Sequence, residues 1–172
     1  MHGKITPTDK ERALHDDDFI VSKTDLKGRI LYGNRIFIEL SGYSERELLS
    51  EQHSIVRHPE MPRGVFKLMW EMLGRKKEMF AYLKNMSKDG GFYWTFGHVT
   101  PSFDDRGNVT GYYSVRRKPK AAAIPVIVGL YRAMLEQERK AGEQGAPDAS
   151  LNYLNHFLEQ RGVSYEEFVL GL

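Results

Sequence analysis

The chain has 172 residues, of which 41% are hydrophobic and 28% are charged, and it contains no cysteine. These proportions are typical of a globular domain with its own hydrophobic core. The absence of thiols excludes disulfides, thiolate metal or haem sites and a cysteinyl–flavin adduct. The 25 basic residues exceed the 23 acidic ones by only two, which is too even a balance to favour nucleic acid or an anionic membrane as a partner.

The sequence also predicts where the chain acts and how it is divided. It has no apolar run of about 18 residues, and its polar N-terminus does not read as a secretory signal. We therefore expect a cytoplasmic protein without a membrane span. Residues 1–17 are expected to form a polar N-terminal cap with a weakly helical stretch at 9–15, residues 18–119 a folded domain, and residues 120–172 a helical C-terminal extension.

Five β-strands are predicted from runs of β-branched and aromatic residues that turn sequences separate. The first two form a hairpin around a turn at 25–28, and the last three form successive hairpins around turns at 88–91 and 104–108. The predicted strands are 19–21, 29–32, 80–86, 92–100 and 109–116. Because successive hairpins are antiparallel, we expect an α+β domain with short helices on one face of a five-stranded antiparallel sheet.

Helices are predicted from caps and from apolar residues at helical spacing. A capping box at Ser44 and Glu47 begins a short helix, and Pro62 suits the first turn of a longer helix that Gly74 ends. In the extension, the pattern predicts a helix from Pro125, a loop at 142–147, an amphipathic helix after it, and a last helix after a second capping box at 164–167.

One short segment with two prolines collects His53, Arg57 and His58. An arginine fork suits phosphate or carboxylate, and an imidazole can stack on a ring, bind a metal or donate a hydrogen bond. The alternative is a surface loop in which Arg57 and His58 satisfy backbone carbonyls at a helix start. No fourth ligand accompanies the two histidines, so we expect no metal site.

Three further residues admit both a structural and a binding interpretation. Trp70 is either a core aromatic or a pocket wall. Asn85 lies in a predicted strand, where asparagine is depleted, so it either faces solvent on an edge strand or bonds the polar edge of a ligand. Asn34, just after the second strand, poses the same question. The chain has no phosphate loop, dinucleotide fingerprint or nucleophile elbow, and we expect no enzyme.

Together, these residues resemble the PAS domain of bacterial aerotaxis receptors over about residues 18–118. The most specific string is Val56-Arg57-His58-Pro59 followed by Met61-Pro62. Other matching positions are Asp25, Asn34, Ser41-Gly42-Tyr43, Glu47-Leu48, His53, Phe66, Met69-Trp70, Lys84-Asn85, Lys88, Gly90, Tyr93-Trp94 and Gly111-Tyr112. The chain has Glu60 where the family usually has aspartate, and Met79, next to Phe80, where the family usually has tryptophan.

The resemblance implies a redox or oxygen sensor that holds FAD non-covalently in a pocket between the sheet and the helices. It would place six residues in or beside that pocket: Asn34, His53, Arg57, His58, Trp70 and Asn85. Other possibilities are haem with His53, His58 or His98 as axial ligand, a small metabolite, or a ligand-free interaction module.

The extension is expected to carry the output, as a homodimer contact or a signalling-protein contact through residues 125–135 and the rest of the tail. Its apolar stripe consists of Ile127, Leu130, Tyr131 and Met134. An equally good interpretation is that this stripe packs against the chain's own sheet.

Overall fold

A single antiparallel sheet forms the frame of the computed structural model, which describes residues 5–172. The strands are β1 (Phe19–Thr24), β2 (Ile30–Gly33), β3 (Met79–Met86), β4 (Phe92–Phe103) and β5 (Val109–Arg117). Their order across the sheet is β2-β1-β5-β4-β3. The predicted α+β fold with five antiparallel strands is confirmed, and the long-range pairing of β1 with β5 joins the two hairpin groups.

The helices follow the predicted caps closely. They are α1 (Arg35–Ser41), α2 (Glu45–Leu48), a 3-10 turn (His53–Val56), α3 (Arg63–Gly74), α4 (Ala123–Glu159) and α5 (Tyr165–Gly171). Both predicted capping boxes are present, at Ser44 and at Ser164. Gly42 ends α1 with φ of 71°, a left-handed conformation that glycine adopts without steric cost.

The two faces of the sheet differ because side chains alternate along each strand. Residues of α3 and of the strands share one buried cluster, which includes Val65, Leu73 and Leu83, so α3 lies on the inner face of the sheet. On the outer face of β5, Tyr113 and Val115 are 41% and 39% exposed. The inner face is therefore where an enclosed site can form.

The N-terminal segment is extended, so the predicted helical stretch at 9–15 is wrong. Its backbone bonds to the β3–β4 turn instead of to itself: the Thr8 amide donates to the Gly90 carbonyl and the Phe92 amide to the Lys10 carbonyl, both at 2.9 Å. Leu14 is buried in the core beyond this contact. The first four residues of the predicted cap lie outside the described residues.

The extension is helical almost throughout, so the predicted loop at 142–147 is wrong apart from its first residue. Only Gly142, with φ of 73° and ψ of 175°, leaves helical geometry inside α4. The helix resumes at residue 143 and runs through Pro147. A proline cannot bond the carbonyl four residues earlier, and that carbonyl, of Glu143, instead accepts from Arg63 Nη1 at 3.2 Å.

The tail, which we define as residues 120–172, packs on its own domain. Its predicted stripe is buried, and the Tyr131 hydroxyl donates to the Tyr82 carbonyl of the edge strand β3 at 2.8 Å. After the break, the Gly64 amide of α3 donates to Ser150 Oγ at 2.8 Å. The stripe is therefore an internal contact in this structure, in line with the second of its two interpretations. Within residues 5–172, no helix combines the length and apolarity needed to cross a membrane.

Candidate functional site

A cavity of about 290 Å³ lies between α3 and the inner face of the sheet. We call it the inner cavity. Its apolar wall includes Val56, Met69, Leu73, Leu83 and Val99. Polar side chains complete the lining and could fix the orientation of a ligand. The other lining residues are Thr24, Gly28, Gln52, His53, Ser54, Arg57, Phe66, Trp70, Lys84, Asn85, Tyr112, Tyr113 and Ser114.

Four of the six predicted site residues line the inner cavity together: His53, Arg57, Trp70 and Asn85. They reach it from three elements, the 3-10 turn, α3 and β3. Asn34 and His58 do not line the cavity, and each has a contact set of its own that accounts for its position.

Asn85 is the buried polar side chain on the inner face of β3, with 6% of its surface exposed. Its Nδ2 donates to Thr95 Oγ1 on β4 at 3.3 Å. Among the described residues, no donor bonds its Oδ1. An amide with one end anchored and the other beside a cavity suits the polar edge of a ligand. The alternative of a solvent-facing strand asparagine does not hold.

Arg57 bonds a backbone carbonyl, as one of its two interpretations predicts, and it also lines the inner cavity. Its Nη2 donates to the Met61 carbonyl at 2.9 Å, just before α3, and the guanidinium lies 4.4 Å from the Phe66 ring centre. Partial burial lowers the pKa of Arg57, with Glu138 acting in the opposite direction. The side chain thus bonds the backbone just before α3 and also lines the inner cavity.

Trp70 stands at the mouth of the inner cavity, since it lines the cavity and is still 46% exposed. Its ring makes an edge contact with Tyr112 at 5.5 Å between centroids. Gly28 forms the opposite rim of the cavity mouth. Its φ is 75°, and a Cβ at this position would lie 3.4 Å from the same indole. Trp70 is therefore a pocket wall and not a core residue.

His53 is held rigidly in the cavity wall. Its ring stacks on Phe37, 5.6 Å between centroids and 8° from parallel, and its Nε2 lies 2.9 Å from Ser22 Oγ. Burial lowers the pKa of His53 to about 3, and the positive charge of Arg116 adds to the effect. The imidazole is therefore neutral at ordinary pH.

Asn34 is a structural residue in this arrangement. Its Oδ1 accepts from the Phe37 amide at 3.2 Å, as the N-cap of α1, and from the Val21 amide at 3.0 Å. Its Nδ2 donates to the Phe19 carbonyl at 2.7 Å. The side chain thus joins α1 to β1, and it is not among the residues that line the inner cavity.

His58 likewise points away from the inner cavity. Its Nδ1 accepts from the Glu60 amide at 3.2 Å, and its ring makes an edge contact with Phe92. Burial and the nearby Lys84 lower the pKa of His58. His58 is only 2% exposed and its ring bonds a backbone amide and not a carbonyl, so the predicted surface loop does not describe it.

The structure shows the surroundings of the two positions, Glu60 and Met79, that depart from the family pattern. Glu60 forms an ion pair with Lys84 at 2.6 Å, which lowers the pKa of that carboxyl. Phe80 does not replace the aromatic side chain that Met79 lacks, because its ring stacks on His98 at 4.1 Å, away from the cavity lining. His98 is therefore also unavailable as a haem ligand, and of the three candidate histidines only His53 lines the cavity.

Sequence reasoning missed Ser22 and Arg116, the two polar residues directly behind His53. Arg116 Nη2 donates to Ser22 Oγ at 3.1 Å, and Arg116 has no exposed surface. The signal was available: Arg116 lies two residues after Ser114, so strand alternation places it on the inner face. An inward-facing arginine in a strand is unusual enough to flag.

Comparison with protein families now adds to this geometry. The model for the PAS fold matches residues 30–116, just over half of the chain. The chain belongs to the PAS fold family. A similar relative is the aerotaxis receptor of Escherichia coli (strain K12), 34% identical over 127 residues, which are 74% of this chain and 25% of the receptor. The nitrogen fixation regulatory protein of Klebsiella oxytoca is 29% identical over 97 residues, 56% of this chain and 20% of that protein.

Solved structures with the same PAS architecture include light-oxygen-voltage domains. The light-state structure of the Aureochrome1 LOV domain has a TM-score of 0.56 and 26% identity, covering 66% of this chain and 90% of that one. A LOV structure solved with a flavin analogue has a TM-score of 0.53 and 25% identity, covering 72% and 87%. This PAS chain thus spans about a quarter or less of the two larger relatives but most of each of these single domains.

Proposed function

We propose that this PAS domain is a cytoplasmic sensory module that binds FAD non-covalently in the inner cavity and reports redox state or oxygen through its tail. The observation that carries the proposal is the convergence of Asn85, Arg57 and Trp70 on one apolar cavity between α3 and the sheet. Similarity to an aerotaxis receptor and to a LOV domain studied with a flavin analogue supports it.

The lining residues fit the parts of a flavin nucleotide. The apolar wall suits the faces of a flat ring, and the Asn85 amide, anchored at one end, suits its polar edge. Arg57 has guanidinium donors beyond the one that Met61 uses, and these suit a pyrophosphate. A bound flavin would supply reversible electron uptake. Without cysteine in the chain, no cysteinyl–flavin bond can form.

Asn85 also offers a route from the inner cavity to the tail. Its amide can present either an oxygen or an NH₂ group to a ligand, so a change in protonation at the ligand edge would be met by a half-turn of the amide. Asn85 lies on β3, and the Tyr82 carbonyl of β3 accepts from Tyr131 of the tail. We infer that a movement of β3 is transmitted to the tail through this hydrogen bond.

The first experiment is to purify the full chain, record its visible spectrum, release any pigment by heat and identify it by mass. Released FAD supports the proposal, and released FMN keeps the sensor but changes its cofactor. A haem spectrum overturns flavin binding. A colourless protein that takes up no added FAD overturns the cofactor assignment and favours an interaction module.

A further inference from the structure

Arg116 is a fully buried arginine in the middle of the sheet. It lies on β5, paired with Ile20 of β1 and with Gly97 of β4, and none of its surface is exposed. A Cβ at Gly97 would lie 3.2 Å from Arg116 Cγ, closer than most contacts of that kind. The glycine on β4 therefore leaves room for the arginine side chain to lie across the inner face.

The guanidinium of Arg116 has few partners for a buried charge. Nη2 donates to Ser22 Oγ, while Nε and Nη1 have no hydrogen-bond partner within residues 5–172. No carboxylate of that part of the chain forms an ion pair with it, and its closest aromatic contact is the Phe37 ring at 4.6 Å. Burial lowers the pKa of Arg116 to about 10, which still leaves it charged at neutral pH. Buried charges are normally paired, so this one needs an explanation.

Two hydrogen bonds connect this charge to the inner cavity. Arg116 donates to Ser22 Oγ, and Ser22 Oγ lies 2.9 Å from Nε2 of His53. Because arginine can only donate, the Ser22 hydroxyl proton is free to bond Nε2. His53 lines the inner cavity and stacks on the same Phe37 ring that the guanidinium contacts. Neither Ser22 nor His53 brings a negative charge, so the cavity lies next to an uncompensated positive charge.

We propose that Arg116 is the counter-charge for the negative charge that a flavin in the inner cavity gains on reduction, with Ser22 and His53 as the positioning residues between them. This inference rests on the proposed function. One electron passes from an external reductant, dithionite in the experiment below, to the flavin without a proton, which leaves the ring with one negative charge; no bond within the protein forms or breaks. A nearby positive charge stabilises the reduced ring more than the neutral oxidised ring, and it raises the reduction potential.

The test compares bound flavin in the wild type with Arg116→Gln, Arg116→Lys and Arg117→Met. Gln keeps a hydrogen-bond donor for Ser22 but removes the charge, and Lys keeps the charge. Arg117 is the matched control, because it is the next residue on β5, exposed on the opposite face over Phe96. Each protein is titrated with dithionite against a reference dye. Circular dichroism of each variant checks its fold independently of flavin.

We expect the ratio of reduced to oxidised flavin at a fixed potential to fall at least tenfold in Arg116→Gln, about 59 mV for a one-electron couple. The ratio should fall less in Arg116→Lys and stay unchanged in Arg117→Met. A folded, flavin-loaded Arg116→Gln with the wild-type potential would overturn the inference. Equal falls in the Gln and Lys variants would also overturn it, by pointing to packing instead of charge. A wild type that binds no flavin would refute the proposed function itself.

Discussion

Arg57 uses one guanidinium nitrogen for the protein, at the Met61 carbonyl, while its side chain lines the inner cavity. If the remaining donors hold a pyrophosphate, Arg57→Gln should weaken FAD binding about tenfold or more, since a hydrogen bond to a charged group contributes roughly 1.5–3 kcal/mol. Riboflavin, which has no phosphate, should bind both proteins alike. Fluorescence titration with the two ligands measures this, and equal losses for both would refute a phosphate contact.

Asn34 gives the opposite prediction, because its three hydrogen bonds all go to the backbone of α1 and β1. Asn34→Ala should lower the free energy of unfolding by about 1–2 kcal/mol, the usual cost of a lost helix cap. Urea denaturation of the ligand-free protein measures it. Asn34→Asp keeps the capping oxygen and should lose less. A large loss of flavin affinity in a stable Asn34→Ala protein would return Asn34 to the ligand site.

His53 makes stability depend on pH. Its pKa in the folded protein is about 3, against 6.5 for an exposed histidine, so the unfolded chain binds more protons between these values. Stability should therefore fall as pH drops below about 6.5, by up to about 2 kcal/mol at pH 5 from this residue. His53→Gln removes the titration, and its stability curve should be flatter from pH 7 to pH 5. Parallel curves for the two proteins would contradict the assignment.

The residues that sequence reasoning found are those that are unusual for their local structure. Asn85 was flagged because amides are rare in strands, and Arg57 because a proline-stiffened segment holds it. Strand alternation places Arg116 on the inner face, but its lack of a charged partner depends on the packing around Phe37 and Ser22. The bonds of Asn34 to Val21 and Phe19 were equally hidden, because they depend on where β1 lies relative to α1.

At the scale of elements, α3 connects the inner cavity to the tail. One side of the helix lines the cavity through Met69 and Trp70, and its N-terminal end bonds the tail through Gly64 and Ser150. Glu138, on the first segment of α4, accepts from both the Arg63 amide and Ser150 Oγ. The helix α3 therefore contacts both the inner cavity, where a ligand would bind, and the tail.

Gly64 provides a direct test of that contact. A Cβ there would overlap Ser150 Oγ and the Leu151 backbone nitrogen, whereas a Cβ at Gly74 on the same helix meets nothing within 4 Å. Gly64→Ala should cost about 1–3 kcal/mol and speed hydrogen exchange in residues 143–171. Gly74→Ala is the matched control and should leave exchange in the tail unchanged. Equal exchange in the two variants would mean that this contact does not hold the tail.

Element prediction succeeded where the signal is local and failed where it is not. The two capping boxes and the hairpin turns are short sequence patterns, and each forms as predicted. Residues 9–15 are extended because Lys10 and Arg12 bond the backbone of Phe92, far along the chain. Pro147 lies in the predicted loop, but the carbonyl it leaves free bonds Arg63, a contact between residues far apart in the sequence.

At the scale of the whole molecule, the pairing of β1 with β5 brings residues of the first hairpin beside those of the last strand. The chain's strand order was not evident from the hairpins, since each hairpin specifies only its own two strands. The alignment of Ser22 with Ser114, and thus the position of Arg116 behind His53, follows from this single long-range pairing. The resemblance to PAS domains supplied the architecture that local patterns could not.

Coupling across the molecule predicts that Asn85→Ala stays folded but separates flavin reduction from tail structure. In the wild type, hydrogen exchange in residues 143–171 should differ between the oxidised and the dithionite-reduced states, whereas in Asn85→Ala the two states should match. Ligand-free protein treated with dithionite is the control. Identical exchange in both states of the wild type would refute the coupling.

The tail folds back on itself at Gly142. Lys120 Nζ donates to the Leu172 carbonyl at 3.0 Å, so the segment ends beside the point where it began. Its two α4 segments, residues 123–141 and 143–159, span roughly 28 and 25 Å at 1.5 Å per residue. The second segment runs back along the first, so the two lengths do not add. A change in the dihedral angles of Gly142 alone would therefore change the distance between the two ends of the tail by tens of ångströms. Two dyes attached near those ends would detect this change.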